Sequence, residues 1–272
     1  MFENYPKLDE PAYKAELTHS ELTDVIDLAL LAGQLLLQYG ADSTRIETTV
    51  HHIGTGLGCD WLDIVVSPSA LTITTTSGGH FRTKIRRVTR IGVNMAIIEL
   101  VNDLSHRVYQ GRLDRHDLRT GLEAIPHLPH EYNRWVTVFM VGLACAAFSR
   151  LFGGDWAAFG VTLVAASAAM FARQELTKLY FNAYVVVTVT AFVATCISGL
   201  ALLLGMGGTP TVAITASVLL LVPGVPLINA AEDMIQGHML IGFIRGVTGG
   251  LISLNIALGI LLAMTVLGIE GF

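Results

Sequence analysis

From Trp135 to the C-terminus the chain carries nine charged side chains, against 30 of the total of 39 in residues 1–134. A stretch so poor in charge cannot surround a soluble core with a solvated surface. Uncharged apolar runs of about 20 residues are what a bilayer accepts as helices, because a helix satisfies its backbone polar groups internally. The step in charge density at Tyr132-Asn133-Arg134-Trp135 therefore predicts a boundary between a soluble domain, 1–134, and a transmembrane domain, 135–272.

Five stretches behind that boundary are long enough to cross: Trp135 to Phe152, Trp156 to Ala172, Leu179 to Leu204, Thr211 to Ile228 and Met239 to Leu267. Arg134 precedes the first, and the ARQELTK connection between the second and third holds Arg173 and Lys178. The connections at 153–155 and 205–210 hold no Lys or Arg. Positive-inside bias then places residues 1–134 in the cytoplasm. The opening MFENYPKLDE has neither a basic n-region nor an apolar core, so no signal peptide is expected there.

The fourth stretch contains its own interruption, LVPGVPLINAAEDMIQGH, from Leu221 to His238. Pro223 and Pro226 each lack an N–H, Val225 precedes a proline, and Gly224 can take a non-helical link. Twelve residues from Thr211, roughly 18 Å at about 1.5 Å per residue, bring the chain a little past the middle of a core about 30 Å thick. The helix is expected to stop there and restart at Pro226, a residue suited to a first helical position. A restarted half-helix presents free N–H groups and the positive end of its dipole, which suits a carboxylate. Pro223, Gly224, Pro226 and Asn229 are thus the candidate substrate-binding residues. Asn229, Glu232, Asp233 and Gln236 follow at helical spacing as one polar stripe. Glu232 and Asp233 are candidates for proton coupling, with Arg245 as their charge partner.

At these residues the chain resembles the threonine/serine exporter family, and within it the short inner-membrane subunits of enteric bacteria. The resemblance runs through LLLQYGADSTRIE (Leu35 to Glu47), GVNM (Gly92 to Met95), RWVTVFMVGLACAAF (Arg134 to Phe148), FARQ (Phe171 to Gln174), AFVATCISGL (Ala191 to Leu200) and ASVLLLVPGVPLINAAEDMIQGH (Ala216 to His238). The family pattern carries a single acid after PLIN, matching Asp233, so Glu232 is an additional one. The resemblance implies a secondary exporter of small hydroxy-amino acids or of succinate, driven by the proton gradient. It also implies a second, smaller membrane subunit in the bacterial inner membrane. Five spans amount to half of a fused exporter, so an oligomer is expected.

The front half reads as an α+β domain. Helices are expected at Leu17 to Tyr39, from Asp42 or Ser43 to Leu57, at Val93 to Tyr109 and at Asp114 to Ile125. Short strands are expected at Ile64 to Val66, Leu71 to Thr76 and Phe81 to Val88. The expected fold class is thus an α+β cytoplasmic domain followed by an all-α transmembrane domain of five helices, one of them broken. Arg82, Lys84, Arg86, Arg87 and Arg90 form one basic cluster, best read as a solvated face or a contact with acidic membrane lipids. A net charge of -5 argues against nucleic acid as a partner.

Cys59, Cys145 and Cys196 have no paired spacing, and the histidines show no metal-ligand spacing, so neither a disulfide framework nor a metal is expected. No nucleotide-binding or catalytic motif appears, so no cofactor and no enzyme activity are expected. The competing reading is a membrane-anchored sensor or scaffold working through its front domain.

Overall fold

The computed structural model describes residues 16–88, 92–127 and 132–269; Arg90, His130, Glu270 and the first ten residues lie outside them. The described residues form ten α-helices and one three-stranded sheet, divided between two compact units. One unit takes its described residues from Met1–Leu128 and Ile228–Arg245, the other from Pro129–Leu227 and Gly246–Phe272.

The first unit begins with α1 (His19–Gln38), capped by Thr18 and Glu21 in a reciprocal capping box. Leu22, Val25, Ile26, Leu28, Leu30, Leu36 and Leu37 are all buried, so most of the circumference of this helix is apolar. Such a helix belongs inside a core. Helix α2 (Ser43–Gly56) and strands β1 (Trp61–Ser67), β2 (Ala70–Ser77) and β3 (His80–Arg87) follow, the strands forming an antiparallel meander in the order β1-β2-β3. Trp61 opposes Thr76, which opposes Phe81, and this register turns Leu71 and Ile73 inward on the other face. Helices α3 (Met95–Tyr109) and α4 (Arg115–Ala124) complete the shell, with Ile97, Val101, Leu118 and Leu122 in the same core.

Segment 228–245 contributes Ile241 to that core. Charge density alone gave no hint of this recruitment, because the segment reads as apolar chain of the second half. One charge on the basic face of β3 is neutralised within the unit, where Lys84 pairs with Asp27 of α1 at 2.7 Å; Arg82 meets the His19 ring.

The second unit contains α5 (Arg134–Leu151), α6 (Trp156–Lys178), α7 (Ala183–Leu203), α8 (Pro210–Ser217) and the later part of α10 (Met239–Leu267). Its interior is built from small residues, Ala165, Ala166, Ala169, Ala191 and Ala194, which let helix backbones approach closely. Two of the buried hydroxyls return to their own helix: Thr190 donates to the Val186 carbonyl at 2.7 Å, and Ser198 to that of Ala194 at 2.8 Å. Cys59 and Cys145 are buried, Cys196 is half-buried, and all three are free thiols.

Helices α5, α6, α7 and α10 are each long and apolar enough to cross a membrane. A fifth crossing arises if Pro210–Leu221 and α9 (Gly224–Ile235) are taken together, a pair bent by 62° at the break.

The structure corrects two sequence expectations. ARQELTK is not a connection but the last turns of α6, ending before Tyr180 in the left-handed region at φ 58°. Its residues are good helix formers, and Lys178 reaches back to Glu175 at 3.3 Å. The break also falls earlier than expected. A 3-10 turn, Leu219–Leu221, ends α8, and Val222, which precedes Pro223, is the residue driven to extended geometry at φ -57°, ψ 123°. Helix α9 restarts at Gly224 and carries Val225 and Pro226 within its first turn, where a missing N–H removes no intrahelical bond.

Candidate functional site

The α1–α2 turn creates the site. Helix α1 closes at Tyr39, and Gly40 adopts φ 88°. Only glycine takes that conformation without strain, and a Cβ there would lie 3.0 Å from the Gly92 carbonyl oxygen. Gly92 N–H binds the Gln38 carbonyl at 2.7 Å and Asn94 N–H binds that of Tyr39 at 3.1 Å, fixing the turn against the start of α3. Gly40→Ala is expected to destabilise the protein by about 1–2 kcal/mol, the usual left-handed penalty, read as a lower melting temperature.

Asp42 is the N-cap of α2, its Oδ1 accepting from Arg45 N–H at 2.8 Å while its Oδ2 pairs with Arg45 Nε at 3.2 Å. The next amide has a partner 190 positions away: Ser43 N–H donates to Asp233 Oδ1 at 2.9 Å. The other carboxylate oxygen of Asp233 accepts from Arg245 Nη1 at 2.7 Å, and Arg245 Nη2 donates to the Ala41 carbonyl at 2.8 Å. Asp233 has 0% of its side chain exposed and Arg245 15%. Asn229 Nδ2 donates to the Gly40 carbonyl at 2.7 Å, and Thr44 donates to Gln236. Two carbonyls, one amide and one hydroxyl of the turn, those of Gly40, Ala41, Ser43 and Thr44, are thereby satisfied by one short segment of α9 and α10.

That segment is held tightly. Helix α9 ends at Ile235, and His238 N–H binds the Asp233 carbonyl at 2.8 Å. At Gly242 a Cβ would meet the Ala230 carbonyl oxygen at 2.8 Å, so α9 and α10 approach backbone to backbone. His238 Nδ1 lies 3.7 Å from Glu47 Oε1.

Burial pushes the Glu47 carboxyl above its ordinary 4.5; His238 opposes the shift, and the charges of Asp63 and Asp233 add to it. A carboxyl raised in the folded protein stabilises the fold below its unfolded value and loses that contribution as pH rises through the folded one. Glu47→Gln is therefore expected to melt higher than the parent at pH 7. The gap should close as pH falls toward 4.5, as thermal unfolding at the two pH values would record.

The candidates divide as follows. Asn229, Asp233 and Arg245 come together with Gly40, Ala41 and Ser43 in the first unit. Glu232 does not join them: it is exposed, and among the described residues its Oε1 accepts from Gln236 Nε2 at 3.3 Å. Pro223, Gly224 and Pro226 stand at the break in the second unit, where Leu227 N–H binds the Pro223 carbonyl at 3.1 Å. The freed carbonyl of Leu220, on the other side of the break, is approached by Arg173 Nη1 at 3.5 Å.

Two participants escaped sequence reasoning. Arg173 reads in the sequence only as a positive-inside charge, and the Gly40–Ser43 turn shows there a helix-capping pattern within the family-like segment Leu35 to Glu47, with no sign of its partners in α9 and α10. Among the described residues no group of three or more His, Cys, Asp or Glu is placed to hold a metal ion.

The family model described as "Putative threonine/serine exporter" matches residues 27–267, which include the whole turn and the Asp233–Arg245 pair. A protein of Klebsiella aerogenes called "Probable succinate transporter subunit YjjP" is 39% identical over 254 residues, covering 93% of this chain and 98% of that one. Its namesake in Escherichia coli strain K12 is 36% identical over 249 residues, 91% of this chain and 96% of that one. The "Threonine/serine exporter" of Corynebacterium glutamicum is 22% identical over 266 residues, which span 93% of this chain but 54% of that protein. No solved structure matches.

Proposed function

Because this chain belongs to the threonine/serine exporter family, a group of multi-pass membrane transporters rather than enzymes, we propose that it is one subunit of a secondary exporter of small carboxylates, succinate or threonine and serine, coupled to protons. One observation supports this more than any other: a fully buried carboxylate, Asp233, paired with Arg245 just beyond a break in an apolar helix. Ionisable side chains in such chains are costly to bury and mark ion or substrate pathways.

In this reading Asp233 is the group that binds and releases the proton, and Arg245 is its counter-charge. Glu232, exposed beside them, is a second proton acceptor at the surface. The opened backbone around Pro223, Gly224 and Pro226 gives a carboxylate its first contact, at the positive end of α9. Asn229 holds the Gly40 turn in register with Asp233. Residues 1–134 form an α+β domain in the cytoplasm, and five crossings, the fourth of them broken, pass through the inner membrane. A second, smaller subunit supplies what the chain lacks relative to fused exporters, of which it spans about half.

Metabolite efflux tests this directly. In cells lacking both subunits, export of succinate or threonine is expected to return only when both genes are restored. Equal efflux with and without this chain would remove it from transport. A front domain that merely anchors or senses would leave efflux untouched in the same comparison.

A further inference from the structure

We propose that Arg245 and Ser43 form a carboxylate seat which Asp233 fills in the structure, and that a substrate carboxylate takes its place when Asp233 accepts a proton. The inference rests on the exporter reading above and adds to it where the substrate binds and the sign of its coupling.

The seat is built for an anion independently of Asp233. Arg245 Nη2 is anchored on the Ala41 carbonyl at 2.8 Å, so the guanidinium keeps its place when the carboxylate beside it leaves. Helix α2, 14 residues long, already has its N-cap in Asp42, so Asp233 is a second anion at that terminus rather than a needed cap. Ser43 supplies the independent observation. It is fully buried, and its Oγ has no hydrogen-bond partner among the described residues, although its own N–H binds Asp233. A buried hydroxyl left unpaired is a donor awaiting an acceptor. The resident Asp233 uses the Ser43 N–H and Arg245 and leaves that third donor unused.

Two ionised carboxylates cannot share one guanidinium in a buried site, because their mutual repulsion is poorly screened there. Loading therefore places a proton on Asp233, and the neutral side chain gives up the Ser43 N–H and Arg245 Nη1 to the incoming carboxylate. The seat holds one positive and one negative charge before and after, so one proton accompanies each carboxylate. Other charges face the pair. Asp42 and Arg45 come from α2, as does Glu47 with His238 opposite it, and Glu232 lies next in sequence on α9. Asp42, Arg45, Glu47 and His238 already have partners, and Glu232 is exposed.

By linkage, a proton that opens the seat and a carboxylate that fills it strengthen each other's binding. Proton and carboxylate then travel in the same direction, so the outward gradient of the carboxylate itself, rather than the inward proton gradient that the family resemblance implies, drives export. An exchanger, in which they compete for one site, has the opposite sign.

The test is binding of radiolabelled succinate, and separately threonine, to the purified two-subunit complex between pH 5.5 and 8. The wild type is expected to bind more tightly as pH falls, approaching about tenfold per pH unit. Asp233→Asn should bind most tightly and show no pH slope. Ser43→Ala should lose about fivefold at every pH and keep the slope, as expected for one lost hydrogen bond. Glu47→Gln should also keep the slope, which excludes Glu47 as the titrating group.

Affinity that rises with pH, an Asp233→Asn variant that binds no tighter than wild type, or no binding by a complex that exports in cells would each overturn the seat. The exporter reading would survive all three. Should Asp233→Asn fail to assemble, the wild-type slope and Ser43→Ala decide the matter alone. Absence of export from cells carrying both subunits would instead overturn the exporter reading, and the seat with it.

Discussion

Asp233→Asn is expected to abolish net carboxylate efflux from cells carrying both subunits while carboxylate exchange persists in the protein that reaches the membrane. Asparagine keeps the shape of the side chain and one acceptor oxygen, so either Ser43 N–H or Arg245 Nη1 retains its partner while the other faces an amide NH2. What it loses is the charge. With no acid to cancel it, the Arg245 guanidinium is paired only while a substrate carboxylate is seated, and an unpaired buried charge is costly. The empty carrier then cannot complete its return step. Exchange of carboxylate for carboxylate needs no empty return and should persist. Net efflux and exchange, measured side by side with labelled succinate, separate this outcome from simple misfolding, which would remove both. Parental net efflux in the variant would take Asp233 out of the mechanism.

The second large effect is on stability. Arg245→Ala leaves the Asp233 carboxylate buried without a counter-charge and the Ala41 carbonyl without its donor. Breaking a buried pair on one side destabilises proteins by about 3–5 kcal/mol, much more than any exposed pair contributes. The variant is expected to melt far below the parent or to fall sharply in membrane abundance. Replacing both partners by apolar residues of similar size, Asp233→Leu with Arg245→Met, should restore most of that loss, because the cost arises from the orphaned charge. The double variant should still export nothing. A double variant as unstable as Arg245→Ala would mean that the pair is structural in a way that packing cannot replace.

The same geometry bears on the front half. Segment 228–245 belongs to the unit formed by the described residues of Met1–Leu128. Removing residues 1–130 would therefore strip Asp233 of Ser43 and Arg245 of Ala41. Loss of export on that deletion would say nothing about sensing or scaffolding; the Gly40 and Ser43 substitutions are the sharper instruments.

The sequence made the spans legible because hydrocarbon imposes one rule on every backbone amide, and runs such as Ala183–Leu203 obey it visibly. The caps were legible for a similar reason. Asp42 meets the Arg45 N–H three residues on, and Gly40 ends α1 through its own left-handed φ. The break was visible as Pro-Gly-Val-Pro, yet its position was not, since either proline can stand at a restart and only packing chooses Val222 over Val225.

Helical spacing put Glu232 and Asp233 on one polar stripe. It could not say that Asp233 would be buried against the α2 amide while Glu232 stayed exposed, because that distinction depends on a segment 190 residues away. Periodicity tells which face a side chain shares, never what the face meets. For the same reason Ser43, one residue inside α2, read as an ordinary capping position.

Simultaneous recording of succinate and proton movement in liposomes holding the two-subunit complex tests the central claim most directly. With a succinate gradient imposed and no initial pH difference, protons should move with succinate in the wild type, and no net succinate flux should appear with Asp233→Asn. Succinate flux without proton movement, or equal fluxes in the two proteins, would contradict the account.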